Sequence, residues 1–179
     1  MYERKNMIMF QKNIQAWRDL AAASEDLVNP LNRVRLGFHE AKDSRAIAKM
    51  IINPNKEKDR WDRAAITLMI GAILHVKYSS DDQSIKGLRR FLSRPRKNVL
   101  KVVDAMLTTE HDSEGKYNWM DPVTGRPSKT HPIVASIARE LAKNHSEELS
   151  DIIDVAIIKL KVWPEKASCS EVFKEIRHG

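Results

Sequence analysis

The chain has 179 residues, of which 42% are hydrophobic and 31% are charged. This length and composition are typical of one globular domain, with or without a small appendage, and exclude a disordered polypeptide. The 31 Lys and Arg residues outnumber the 24 acidic residues, which gives a net charge of +7. A basic surplus of this size favours an anionic partner, either nucleic acid or anionic lipid.

Cysteine usage and hydropathy predict where the chain resides. Cys169 is the only cysteine, so a disulfide framework is excluded and a reducing, cytoplasmic compartment is expected. Residues 1–12 carry charges throughout and lack the apolar core of a signal peptide. The most apolar run, residues 64–76, is shorter than the roughly 20 residues that cross a bilayer. We therefore expect a cytoplasmic protein and no membrane insertion by this chain.

Apolar residues recur with a helical period along almost the whole chain. The first predicted helix covers residues 6–27 and ends before Asn29-Pro30, because a residue preceding proline is disfavoured in the α region. Val34-Arg35-Leu36 is the one plausible strand, and Gly37 is expected to turn the chain. A second helix is predicted over residues 39–52.

The third predicted helix, residues 61–78, is apolar on nearly every face, as in the centre of a bundle. Each large side chain buried there is expected to contribute roughly 1.5–3 kcal/mol. Ser80 and Gln83 have capping-box spacing, and Thr130 is a candidate cap before Pro132. Further helices are predicted over residues 80–92, 95–108, 130–143 and 149–163, with a loop at 112–129 and a last short helix after Ser168. The expected fold is all-α: a single compact bundle of about seven helices without significant sheet.

The densest basic cluster lies between residues 86 and 101, a stretch that contains no acidic residue. Three of its members share one helix face, because residues three and four apart are neighbours. Such clusters bind phosphate backbones, since each neutralised phosphate releases counterions. We interpret the cluster as a candidate nucleic-acid contact, and a solvated helix face is the alternative. Its members are Lys86, Arg89, Arg90, Arg94, Arg96, Lys97 and Lys101.

The predicted loop at 112–129 adds two aromatic candidates. Tyr117 and Trp119 lie among Lys116, Arg126 and Lys129. Aromatic rings beside positive charges can stack single-stranded bases. The alternative is that the tryptophan folds back over the core.

Motifs for catalysis are absent from the sequence. No Gly-x-x-x-x-Gly-Lys-Ser/Thr loop occurs, and a phosphate cradle needs clustered glycines, whereas Gly71, Gly87 and Gly115 are isolated. His111 lies between two acidic residues, but three consecutive residues rarely converge on one ion. We therefore expect no enzymatic activity, no cofactor and no metal.

Six motifs occur in a fixed order along the chain. They are NPLNRVR at residues 29–35, GAILHVKY at 71–78, FLSRPR at 91–96, MLTTEHD at 106–112, WMDPVTG at 119–125 and HPIV at 131–134. In this order they resemble the all-α domain inserted into the motor of conjugative coupling proteins, the TraG family of type IV secretion. The resemblance covers residues 29–144, about two thirds of the chain.

The resemblance implies a domain that faces the incoming relaxase–DNA substrate of a conjugative plasmid or other mobile element. The motor segments that flank the domain in that family have no counterpart in this sequence, so we expect a non-catalytic fragment or stand-alone relative of a coupling protein. Its expected partners are DNA phosphates and the relaxase or other transfer proteins. Residues 1–28 are predicted to form a helix outside the family pattern, and residues 145–179 to form helices that pack on the domain. The alternatives are a helical DNA-binding regulator of a mobile element and an inert gene remnant.

Overall fold

The computed structural model describes residues 29–52, 60–93 and 99–163. Within these ranges the chain forms six α-helices and no strand, with one isolated bridge between Met120 and Pro127. The all-α prediction is confirmed, with six helices here against about seven predicted for the whole chain. The helices predicted at 6–27 and after Ser168 lie outside the described residues. The elements are a 3-10 turn at Pro30–Arg33, α1 at Glu40–Ile52, α2 at Arg60–Ser79, α3 at Ile85–Leu92, α4 at Leu100–Thr108, α5 at Pro132–Leu141 and α6 at Ser146–Val162.

Helix α2 is the centre of the bundle. It packs against α1, α5 and α6, and also contacts α3 and α4. Its side chains Leu68, Met69, Ile73 and Leu74 are fully buried. A helix that buries side chains on every face needs neighbours all round it, as the apolar sequence of this segment predicted.

Gly71 allows two helices to approach the middle of α2 closely. A Cβ atom at this position would lie 2.4 Å from Met106 Cε of α4 and 2.9 Å from Ile137 Cγ2 of α5. Both distances are shorter than ordinary van der Waals contact. The glycine therefore sets how tightly α4 and α5 pack on the central helix.

The strand predicted at residues 34–36 is wrong. Val34 is buried in the apolar core, and Arg35 bonds to α1 instead of pairing with a strand. The Arg35 amide donates to Asp43 Oδ2 at 3.1 Å, and its guanidinium donates to both oxygens of the same carboxylate. The segment has no neighbouring strand in the described residues, so its extended backbone is held by a side chain.

Two predicted helix caps are also wrong. Ser84 rather than Ser80 caps α3, because the Ser84 hydroxyl accepts the Gly87 amide at 3.2 Å. His131 rather than Thr130 caps α5, because His131 Nδ1 accepts the Ile133 amide at 3.2 Å. In both places the capping residue lies closer to the helix than the residue that the sequence favoured. The predicted start of α4 at Pro95 lies outside the described residues.

None of the helices in the described ranges is both long enough and apolar enough to cross a membrane.

Truncating the central helix should destabilise the whole bundle. Leu74 is fully buried on α2, so Leu74→Ala is expected to lower the free energy of unfolding by about 2–5 kcal/mol. The matched control is Leu100→Ala, because Leu100 is 56% exposed and its truncation should change stability by less than about 0.5 kcal/mol. Urea denaturation followed by circular dichroism measures both. Equal effects of the two substitutions would contradict a core centred on α2.

Candidate functional site

The basic cluster predicted from the sequence is divided between two helices. Lys86, Arg89 and Arg90 lie on α3, where Lys86 and Arg90 are exposed and Arg89 is half-buried. Lys101 is exposed on α4. Arg94, Arg96 and Lys97 lie outside the described residues. Helix α3 packs mainly on α2 and α6, whereas α4 packs mainly on α5 and α2. The described part of the cluster therefore presents its cations from two differently supported helices.

An acidic residue from the preceding turn reaches the cluster. Arg90 Nη2 donates to Asp82 Oδ2 at 3.0 Å, and Ser84 bonds the other carboxylate oxygen of Asp82. The turn lies directly against α3, because a Cβ at Gly87 would be only 1.9 Å from the Asp82 carbonyl oxygen. Gly87 is therefore required for the turn to deliver Asp82 to Arg90.

Tyr117 and Trp119 face the protein rather than standing apart from it. Their rings stack on each other, with centroids 4.9 Å apart and planes 10° apart. Both rings meet the edge of Tyr78 on α2, and Trp119 also lies 4.6 Å from the His131 ring. The Trp119 indole is thus partly buried against the bundle, the arrangement that the sequence analysis gave as the alternative to base stacking.

A buried carboxylate lies at the centre of the contacts beneath Trp119. Glu40, the first residue of α1, is 8% exposed. Its Oε2 accepts hydrogen bonds from the Tyr78 hydroxyl at 2.5 Å and from the Gly37 amide at 2.8 Å. Its Oε1 lies 2.8 Å from His131 Nε2. Three segments of the chain therefore meet at one carboxylate group.

The hydrogen bonds of three histidines continue from this carboxylate into the bundle. His131 Nδ1 accepts the Ile133 amide, so its proton lies on Nε2 and is donated to Glu40. His111 Nδ1 accepts the His131 amide at 3.2 Å, so its proton lies on Nε2. His111 Nε2 then donates to His75 Nδ1 at 3.0 Å. We call Glu40, His75, Tyr78, His111 and His131 the polar cluster.

Burial and hydrogen bonding set the charge state of the polar cluster. Burial, and secondarily the nearby His75 and His131, lower the pKa of His111 to about 3. Burial raises the pKa of Glu40, but hydrogen bonds from His131, Tyr78 and Gly37 outweigh it, so the pKa lies below its ordinary value. Burial and the bond to Glu40 raise the pKa of Tyr78. At neutral pH the cluster therefore holds a carboxylate, a neutral His111 and a protonated phenol.

Two aspartates shape the loop between α4 and α5. The carboxylate of Asp112 is buried and accepts the amides of Lys116 and Tyr117 at 2.8 and 2.7 Å. Asp121 accepts the Val123 and Thr124 amides, both at 2.9 Å, and pairs with Arg139 of α5. These backbone hydrogen bonds and Arg139 lower the pKa of Asp121 to about 2. The loop is thus tied to itself and to α5.

The motifs that carry the family resemblance converge on this region. His75 and Tyr78 belong to the second motif, His111 and Asp112 to the fourth, and the fifth and sixth contribute the residues around Trp119 and His131. Glu40 lies outside every motif and was not predicted from the sequence. The three histidines were visible in the motifs, but nothing in their spacing indicated that they bond one another. Among the described residues, no set of His, Cys, Asp and Glu side chains is arranged to hold a metal ion.

Comparison with known proteins finds two relatives of the same kind. A conjugal transfer protein TraG of Escherichia coli is 26% identical over 151 residues, which cover 82% of this chain and 22% of that protein. A second TraG of Escherichia coli is 29% identical over 133 residues, covering 72% of this chain and 19% of that protein. The chain therefore spans about a fifth of the length of the curated relatives it matches. No family model and no solved structure matches the chain.

The all-α bundle and the ordered motifs are therefore those of a helical domain that is similar to part of two conjugal transfer proteins. More specifically, the chain resembles a domain of the TraG coupling proteins. The resemblance that the six motifs indicated is confirmed.

Removing the phenol hydroxyl tests whether the polar cluster holds the bundle together. Tyr78→Phe deletes the donor to an ionised carboxylate and should cost about 1.5–3 kcal/mol of unfolding free energy. Tyr117→Phe is the matched control, because Tyr117 is exposed and its ring contacts survive the substitution. Denaturant unfolding of the two variants gives the comparison, and a Tyr78→Phe variant as stable as Tyr117→Phe would show that this bond contributes little.

Acidification should destabilise the chain before it protonates most carboxylates. The pKa of His111 is about 3 in the folded chain against an ordinary 6.5, so the unfolded chain takes up this proton first. Glu40, with a lowered pKa, acts in the same direction at lower pH. The contribution of His111 to the free energy of unfolding is therefore fully present above about pH 6.5 and is lost as the pH drops towards 3. Over this range the unfolded chain binds up to about one more proton than the folded chain, at His111.

Unfolding midpoints measured between pH 8 and pH 4 test this pH dependence. His111→Gln should flatten the curve below pH 6.5, whereas His145→Gln, which changes an exposed histidine before α6, should leave the curve unchanged. A curve that the His111 substitution does not alter would assign the pH dependence to other groups.

Proposed function

We propose that this chain is a non-catalytic domain of conjugative transfer, a fragment or stand-alone relative of a coupling protein that binds the transfer substrate in the cytoplasm. Its substrate is the relaxase complex, the DNA, or both. The similarity to TraG supports the proposed role in conjugative transfer. The observation that carries the DNA contact is the exposed pair Lys86 and Arg90, one helical turn apart on α3.

The basic face of α3 is suited to phosphate groups. Its opposite face is fixed in the core by Ile85, Leu88 and Leu92, so the cations are held by a packed helix. Lys86 is exposed, and Arg90 is paired only at the surface with Asp82. Exposed ion pairs contribute little to stability because solvent screens them, so a phosphate group can displace Asp82 at little cost. Lys101 on α4 adds a further exposed cation.

The polar cluster supports the non-catalytic part of the proposal. The donors and acceptors of Glu40, His111 and His131 are directed at each other, at His75 and Tyr78, and at the backbone. A general base needs a lone pair directed at a substrate. The tautomers assigned above use both ring nitrogens of His111 and of His131 within the protein, which favours a structural role.

Fluorescence anisotropy with labelled single- and double-stranded DNA across a salt series tests DNA binding. The affinity should fall as salt rises, because bound phosphates release counterions. The double variant Lys86→Glu, Lys101→Glu should bind more weakly, with a salt slope shallower by about 0.7–0.9 for each lost phosphate contact.

The matched control for the charge reversal is Lys161→Glu, because Lys161 is an exposed lysine at the end of α6, outside the basic cluster. It should leave the salt slope unchanged. Absent or salt-insensitive binding would remove the DNA part of the proposal. A loss in the control equal to half of the loss in the double variant would show that net charge, and not this surface, governs binding, because the control reverses one charge and the double variant two.

A further inference from the structure

Exposed apolar side chains are concentrated on two loops. Seven large apolar side chains are exposed among the described residues, and only Leu100 and Ile158 of these lie on helices. Phe38 is 95% exposed and Val123 is 73% exposed, which are high values for side chains of this type. Apolar groups gathered in this way mark interaction sites more often than single exposed residues do. We call the five loop residues the two-loop surface: Leu36, Phe38, Tyr117, Met120 and Val123.

The first loop presents Leu36 and Phe38 on a fixed backbone. On one side, the Arg35 amide and guanidinium are bonded to Asp43. Between the two apolar residues, Gly37 adopts a φ of +87° and donates its amide to Glu40. Because the backbone is already ordered, a partner that covers Phe38 loses little conformational entropy from this loop.

The second loop is equally constrained where it carries Met120 and Val123. The Asp121 amide donates to the Arg126 carbonyl at 2.8 Å, and the Gly125 amide donates to the Asp121 carbonyl at 2.9 Å. The Asp121 side chain also binds the Val123 amide and Arg139. Both apolar side chains are therefore exposed on an ordered hairpin-like turn that α5 supports.

The polar cluster joins the two loops. Gly37 of the first loop bonds to the same Glu40 oxygen that accepts the Tyr78 hydroxyl. Tyr117 of the second loop meets the Tyr78 ring, with centroids 5.6 Å apart. Since both loops contact groups bonded or packed at Tyr78, their positions are fixed relative to each other. Gly37 and Tyr117 are linked through the Tyr78 side chain, so a partner that covers this point is adjacent to both loops.

The charges around the two-loop surface favour an acidic partner. Exposed cations follow Phe38 along α1, at Lys42 and Arg45, and lie in the second loop at Lys116 and Arg126. The acidic side chains nearby are mostly engaged: Asp43 with Arg35, Glu110 with Lys129 and Asp121 with Arg139, while Glu114 is exposed. A second copy of this chain would bring the same cations to the interface, so like charges oppose self-association.

Aliphatic side chains on the surface favour a protein over a nucleic acid. Bases bind by stacking on aromatic faces, and Leu36, Met120 and Val123 offer none. One face of the Tyr117 ring is already covered by Trp119. We propose that the two-loop surface docks a protein segment that combines acidic residues with apolar anchors. This inference goes beyond the proposed function, because it concerns a surface outside the basic cluster of α3 and α4.

Selection of a random displayed-peptide library on the full chain tests the proposal. The enriched peptides should combine Asp or Glu with Leu, Phe or Trp. Titration of a fluorescent copy of the most enriched peptide should show about tenfold weaker binding to Phe38→Ser and to Val123→Ser, because buried apolar anchors dominate such interfaces. Ile158→Ser, which changes an exposed apolar residue of α6, should bind the peptide like the unmodified chain.

The three variants should have the same thermal unfolding transition as the unmodified chain, since all three side chains are exposed. Several outcomes would overturn the proposal: no enrichment, enrichment of basic peptides, or unchanged peptide binding by Phe38→Ser. If analytical ultracentrifugation shows a dimer that Phe38→Ser dissociates, the partner at this surface is a second copy of the chain and not an acidic segment. Binding of single-stranded DNA that Phe38→Ser abolishes, without peptide binding, would replace it with nucleic acid. If the Lys86 and Lys101 double variant loses DNA binding but still binds the peptide, the result concerns the proposed function and not the two-loop surface.

Discussion

The arrangement of the loops depends on one buried carboxylate. An ionised Glu40 is costly to bury unless hydrogen bonds replace the water that it loses. Three donors do so, and they come from the loop before α1, from α2 and from the residue that caps α5. Each donor must lie within hydrogen-bonding distance of one small group, so the three segments are fixed relative to one another. The apolar core brings the helices together, and Glu40 determines how their ends meet.

His131, the third donor to this carboxylate, also caps α5. His131 uses Nδ1 to cap the helix, Nε2 to bind Glu40 and its amide to bind His111. The backbone amide makes its bond whatever the state of the ring. The two ring bonds are both made only when Nε2 carries the proton and Nδ1 is free to accept the Ile133 amide. The start of α5, the buried charge of Glu40 and the position of the loop at His111 are therefore coupled at one residue. This coupling brings residues of the second, fourth and sixth motifs together in one structural unit.

The sequence predicted most of the helices, because apolar period and length are local properties. The apolar circumference of the third predicted helix identified α2 as the centre, and the predicted bounds of α1 and α2 differ from the observed ones by one residue at most at each end. Caps were less predictable, since Ser80 and Ser84 both offer a hydroxyl before the same helix, and only the structure shows that Ser84 accepts the Gly87 amide. The polar cluster could not be predicted, because Glu40 and His131 are 91 residues apart and neither spacing nor composition connects them.

The motif residues and the exposed residues have different relations to function. His75, His111 and His131 are buried and bond one another, so the motifs that they belong to describe how the domain is built. Side chains that can reach a partner, such as Lys86 on α3 and Phe38 before α1, are exposed and contribute little to the core. A relative can keep the cluster and alter these surfaces without unfolding, because surface substitutions usually change stability by less than about 0.5 kcal/mol. Similarity through the motifs thus establishes the framework, and the choice of partner depends on the side chains that the framework exposes.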